Sequence, residues 1–158
     1  MLGPLTLAFD PKGRLFVGSI TEPGWMAQPD RGGLFRIDFT GQTPFEIQSI
    51  NVRPRGFRLN FTAPIDAQTA KAVASYSIEH YRYEYTGAYG SPELDRTSLP
   101  IEKVDVATDG RSVELQTGAL TKERAYMIGA AGVRSANGEA LVNPLGAYTL
   151  NEIPAPPQ

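Results

Sequence analysis

The sequence predicts an all-β fold: an antiparallel β-sandwich preceded by a three-strand element and carrying one short helix. Two observations carry this. Short runs that alternate apolar and polar residues recur along the 158 residues at strand length. Turn chemistry separates them, at Asp10-Pro11-Lys12-Gly13, Arg53-Pro54-Arg55-Gly56, Thr108-Asp109-Gly110 and Asn137-Gly138. Strands do not alternate with crossover helices, so a parallel sheet is not expected.

The elements follow in order. Leu5, Leu7 and Phe9 alternate with smaller or polar residues, and Leu15 and Val17 return after the Pro-Gly turn, so residues 4–21 read as a hairpin. Residues 22–33 are loop by their Gly, Pro and Asp content. A third strand covers 34–39 and breaks at Thr40-Gly41-Gln42-Thr43. Residues 45–52 form a strand, and Gly56 leads into a strictly alternating one. There Phe57, Leu59 and Phe61 face inward, and Arg58, Asn60 and Thr62 face outward. Asp66 caps a short helix over the Ala-rich stretch 67–74. Residues 75–85 form an aromatic strand, and 86–100 a long loop. Strands 101–107 and 111–117 pair through Asp109-Gly110. Residues 123–133 and 147–150 close the fold. The organisation expected is a blade-like β element (1–43), a sandwich of about seven strands (44–153) and a Pro-rich tail (154–158).

Composition removes whole classes of chemistry. The chain has no cysteine and one histidine, His80. Thiolate catalysis, disulfides, Cys-ligated metal and multi-histidine metal sites within one chain are thereby excluded. Net charge is −2 with Lys and Arg dispersed, so no basic stripe exists to neutralise a row of phosphates, and nucleic-acid binding is not expected. Apolar runs fall short of the ~20 residues of a membrane helix, so no membrane insertion is expected. The opening MLGPLTLAFD lacks a basic region and a long apolar stretch, and is not read as a signal peptide. Its direct entry into a strand suggests a fragment of a longer chain.

Three groups of side chains are candidates for a site. The first is aromatic: Tyr81, Tyr83 and Tyr85, with Tyr89 and Trp25. Alternate strand residues share a face, and a row of exposed rings can stack on the C–H faces of successive sugars. Packing against a neighbouring segment is the simpler alternative. Parity adds a constraint. Tyr76 and Ile78 share a face with His80, Arg82 and Glu84, while Tyr81, Tyr83 and Tyr85 share the other. Either a bulge near Glu79–His80 flips the register, or the tyrosines point outward.

The second group is the carboxylates Glu79, Glu84, Glu93 and Asp95. A glycosidase needs two carboxyls across the scissile bond, roughly 5–5.5 Å apart for retention and 6.5–9.5 Å for inversion. Any surface loop supplies such residues, so the signal is not specific. The third candidate is His80, flanked by Glu79 and Tyr81. A lone strand histidine is ordinarily a hydrogen-bonded or exposed residue rather than a ligand or base. Oxygen-rich segments at Asp105 to Asp109 and at Glu93-Leu94-Asp95 lack the spacing of a calcium loop. No metal and no cofactor are expected.

Two stretches carry resemblances. GPLTLAFDPKGRLFVGSIT followed by GGLFRIDFTG resembles the last blade of a glucose/sorbosone-dehydrogenase-like β-propeller of secreted bacterial proteins. GFRLNFTAPIDAQTAKAVASYSIEHYRYEY, AYGSPELD and GVRSANGEALVNPLGAYTLNEIP resemble a bacterial Ig-like domain of the S-layer type. The resemblance implies an extracellular or periplasmic location and an Ig-like sandwich. It does not bring redox activity: a single blade makes no propeller, and no haem-binding C-x-x-C-H is present. The function expected is therefore a non-catalytic accessory module of an extracellular, carbohydrate-related bacterial protein, binding polysaccharide through the aromatic strand. One alternative is a small polysaccharide-active glycoside hydrolase using a carboxylate pair. The other is a protein–protein interaction domain, in which residues 1–43 contact other domains of a parent chain or a second copy in a homodimer.

Overall fold

The structure is a computed structural model that describes residues 3–20 and 32–156. It divides into two compact units, meeting in sequence at Gln42 and Thr43. The first unit is a three-stranded antiparallel sheet, β1 (Gly3–Phe9), β2 (Leu15–Ile20) and β3 (Gly32–Ile37), in that order. Asp10 shapes its first turn. One carboxylate oxygen accepts from the backbone N–H groups of Lys12 and Arg14, and the other binds the Arg14 guanidinium. These bonds hold its carboxyl below the usual carboxylate range.

The second unit is an Ig-like sandwich with one short helix. Its strands are β4 (Ile47–Arg53), β5 (Gly56–Phe61), β6 (Ser77–Arg82), β7 (Leu94–Ser98), β8 (Ile101–Val106), β9 (Ser112–Thr117), β10 (Arg124–Gly129) and β11 (Leu145–Leu150). One sheet runs β4-β5-β9-β8 and the other β11-β10-β6-β7. All neighbours are antiparallel. Lettered in chain order, these are the A-B-E-D and G-F-C sheets of the Ig fold, with β7 added beside strand C.

The core lies between the sheets. Phe57, Leu59 and Phe61 point into it, as the alternation predicted, and are at most 2% exposed. Val113 and Leu115 face it from β9, Ile78 from β6, Tyr126 and Ile128 from β10, and Leu150 from β11. Burying each such side chain contributes roughly 1.5–3 kcal/mol. Tyr126 also ties the chain. Its hydroxyl accepts from the Thr121 N–H at 2.8 Å and donates to the Thr121 carbonyl at 3.0 Å. This is the tyrosine corner of Ig folds, at the start of the strand corresponding to F.

Strand ends shift, most at the strand read over 123–133, which stops at Gly129, and three further local expectations change. The helix α1 spans only Ala67–Lys71, followed by a 3₁₀ turn at Val73–Ser75. Ala72 is extended and the Ser75 hydroxyl takes the Thr69 carbonyl, so the helix has no route onward. The loop read over 86–100 contains β7, whose charged sequence hides its strand character. The aromatic strand stops at Arg82 rather than Tyr85, because its pairing with β7 ends at Arg82 opposite Leu94.

Candidate functional site

The outward face of β6 and β7 gathers most of the candidate residues. Register settles which way β6 faces. Ile78 and His80 lie opposite Ile128 and Tyr126 of the core, while Glu79 and Tyr81 lie opposite Met127 and Ala125 on the other side. The tyrosine at 81 therefore points outward. A bulge is present too, but it sits on β7. Two steps along β6, from His80 to Arg82, match three along β7, from Thr97 to Leu94. Asp95, at φ 54, and Arg96 thus oppose the single residue Tyr81.

That bulge builds a charged lid. The Arg96 guanidinium lies 4.9 Å from the centroid of the Tyr81 ring and donates hydrogen bonds to both Glu79 and Glu93. Tyr83 packs edge-on against Tyr81, with centroids 5.3 Å apart and planes at 83°. Tyr81 is left 7% exposed despite facing outward. Its phenol is held well above the usual range, first by its hydrogen bond with the Tyr83 hydroxyl and then by burial. Beside it, Arg82 donates to Asp95 at 2.6 Å, which holds the Asp95 carboxyl below the usual carboxylate range.

The carboxylates thus come together, but each of the three near Tyr81 is engaged by arginine. A glycosidase acid must keep its proton near neutral pH, which needs a raised pKa. Asp95 is shifted the other way. Glu84 stands apart from the lid; its backbone N–H donates to the Ser91 hydroxyl at 2.9 Å. Of the tyrosines, Tyr83 is 57% exposed, and Tyr85 and Tyr89 are fully exposed. The rings do not form the strand-borne row that the sequence suggested, because Tyr83 and Tyr85 lie beyond the end of β6. Trp25 lies outside the described residues.

His80 faces the core side, its ring 5.1 Å from that of Tyr126. Its Nδ1 is buried without a hydrogen-bond partner, as is Nη1 of Arg124. Burial, and then the nearby Arg124 charge, push its pKa below the ordinary value. The sign for stability follows from linkage. A depressed folded-state pKa means that the unfolded chain binds more protons, so the contribution is complete above the ordinary value of about 6.5. It is lost as pH falls from there through the folded-state value. Thermal melts between pH 8 and 5 are expected to show the sandwich losing stability on acidification, and His80→Gln to flatten that part of the profile.

Among the described residues no three His, Asp or Glu side chains group as a metal site, and no helix is long and apolar enough to cross a membrane. The nearby Arg96, which sequence reasoning did not single out, organises this face. Its only sequence signal was its place among Glu93, Asp95 and the tyrosines.

Comparison with solved structures gives a consistent fold. The chain is similar to the crystal structure of a recombinant bacterial S-layer protein SbsC, with a TM-score of 0.53 and 21% identity over 72% of this chain and 14% of that one. The N-terminal part of SbsC matches with a TM-score of 0.53 and 20% identity over 69% of this chain and 24% of that one. A structure of SbsC domains 1–6 matches with 21% identity and the same TM-score, over 72% and 14%. The chain therefore spans a quarter or less of the length of the proteins it resembles, and the likeness is one of fold. It does not extend the propeller resemblance of the first unit. No family model matches the sequence. No curated protein matches it either.

Proposed function

We infer that this chain is a non-catalytic structural module of a larger bacterial surface or secreted protein, in which the sandwich acts as a spacer and docking unit. The observation that carries this is the combination of an S-layer-like Ig sandwich with carboxylates already engaged by arginine. A cell-surface or extracellular location and neighbouring domains in a parent chain belong to the same reading, and the likeness to parts of longer S-layer chains supports them.

Within that role, the exposed rings Tyr83, Tyr85 and Tyr89 would meet polysaccharide, with Tyr83 backed by Tyr81. Retention on insoluble glycans is expected for the wild type, without release of reducing sugar. A Tyr83/Tyr85/Tyr89→Ala variant should elute at least tenfold earlier, at unchanged melting temperature. Substituting Glu93 and Asp95 by the amides should leave retention intact. Reducing sugar that appears with the wild type and vanishes with the amides would instead establish the hydrolase. Absence of retention would leave spacing and docking alone.

Protein–protein contact through the first unit is a second reading, favoured by its apolar side chains. Leu7, Phe9, Leu34 and Phe39 are each 66–76% exposed. Register puts Leu7 and Phe9 on one side of the sheet with Val17 and Phe35, and Leu34 on the other with Phe16. A sheet apolar on both sides is ordinarily covered on both. The intact chain is expected to bind the dye ANS, and to bind it less when Phe9, Leu34 and Phe39 become serine.

A further inference from the structure

We propose that β11 is a self-pairing edge through which the sandwich associates with a second copy of itself. Four strands end the two sheets: β11 and β7 in one, β4 and β8 in the other. An unpaired edge strand offers a row of backbone N–H and C=O groups and accepts another strand unless something blunts it. Three of the four are blunted. On β7 stand Asp95 and Arg96 and the bulge described above. Glu102, Lys103 and Asp105 lie on β8, whose register shifts between Ile101 and Lys103. Register also shifts in β4, between Ile47 and Ser49, and that strand ends on Arg53. In contrast β11, LGAYTL, has no charged residue and keeps unbroken register with β10 along its length.

The backbone geometry fixes how two copies would meet. Ala130 N–H donates to the Pro144 carbonyl at 2.8 Å. Antiparallel partners alternate between hydrogen-bonded and non-hydrogen-bonded pairs. Continuing that alternation, Gly146, Tyr148 and Leu150 direct their backbone groups to β10. Leu145, Ala147 and Thr149 direct theirs to the open edge, and all three are exposed. Among the described residues no strand pairs with that edge.

A two-fold axis normal to the sheet, level with Ala147 and midway between the two strands, sets it opposite the partner's Ala147. Leu145 then lies opposite the partner's Thr149, and each such pair exchanges backbone hydrogen bonds. The axis keeps core-side residues opposite one another, so Gly146 meets the partner's Tyr148, small against large. No like charges are brought together, whereas a two-fold pairing of β7 or β8 would juxtapose copies of a charged edge. That self-complementarity favours a second copy over a foreign strand. The edge of β4 lies close by, since a Cβ on Gly146 would approach Ile50 to 2.5 Å. A groove of about 420 Å³, lined by Ser49, Ile50, Leu145 and Tyr148 among others, separates the two edges on the same side of the sandwich. The same axis leaves the two blunted β4 edges facing one another without pairing, so only the sheet of β11 is continued.

One six-residue strand buries less than the roughly 1,200–2,000 Å² of a stable interface. Association is therefore expected to be reversible and concentration-dependent. Sedimentation equilibrium of the intact chain should show the mass rising from 17.2 kDa toward twice that value as concentration increases. Ala147→Pro removes the outward N–H without touching a bond to β10, and proline is tolerated at such edge positions. It should hold the protein at the mass of one chain. Ala147→Lys, which places like charges at the axis, should do the same and guards against a folding defect in the first variant. A constant single-chain mass for the wild type would overturn the proposal. Association that survives both substitutions would also overturn it, by placing the contact elsewhere, such as the sheet of residues 3–37.

Discussion

Replacing Gly56 with alanine should destabilise the sandwich by about 3 kcal/mol or more, and lower its melting temperature by roughly 10 °C or more. Two causes act together. Gly56 ends the Arg53-Pro54-Arg55 turn at φ 128, a region that residues with a side chain adopt only at a cost of about 1–3 kcal/mol. A Cβ there would also lie 1.8 Å from the carbonyl oxygen of Leu115. That carbonyl belongs to β9 directly beside Gly56, which pairs with Gln116. Backbone cannot rotate away as a flexible side chain can, so relief requires β5 and β9 to separate where Phe57 and Leu115 enter the core. Near-UV circular dichroism is the appropriate readout, because all seven tyrosines lie in the sandwich. An unchanged melting curve for Gly56→Ala would show that the turn can relax without moving β9. Mutating Gly138, also in the second unit and at positive φ but with open space where a Cβ would lie, should cost far less and separates the two causes.

Tyr126→Ala should be comparably severe, at roughly 3–5 kcal/mol for loss of a large core side chain. Tyr126 is fully buried, its ring 5.2 Å from Phe57 and 5.1 Å from His80. Truncation opens a cavity bordered by both sheets and releases Thr121. Tyr126→Phe divides the effect. It keeps the ring packing but leaves the Thr121 N–H and carbonyl without their partner, a cost of about 1–3 kcal/mol. Equilibrium unfolding of both variants is the check. A phenylalanine variant as unstable as the alanine one would mean that the hydroxyl clamp, and not the ring, holds the turn before β10.

Much of this architecture was legible in the sequence. The alternation of Phe57, Leu59 and Phe61 against Arg58 and Asn60 is a period-two signal that only a half-buried strand satisfies, and it located the core face correctly. Asp109-Gly110 marked the hairpin of β8 and β9, with Gly110 at φ 62 as such a turn requires. The site was less legible. Strand β7 went unrecognised because Gly87, Gly90 and Pro92 mark the stretch as loop and Asp95 disfavours a strand, and pairing with β6 overrides that preference. The tyrosines were read as one row because parity assumes a continuous strand, and the strand stops at Arg82. Tyr126 gave no sign of its special place, because nothing in a linear sequence distinguishes a core tyrosine from one whose hydroxyl clamps a turn five residues back.

By itself the sequence determined what depends on local order along the chain: the class of fold, the inward and outward faces of its regular strands, and the turns. Absence of cysteine and the single histidine likewise fixed which chemistries are unavailable. Tertiary structure alone decided what depends on which strand lies beside which. It set Arg96 over Tyr81, committed Glu79, Glu93 and Asp95 to arginines, and left β11 as the uncharged, regular edge among the four described edges of the sandwich. The physical reason is that a side chain's periodicity is written in its neighbours in sequence, whereas its partners across a ladder come from residues far away, brought close only when both sheets close over the core.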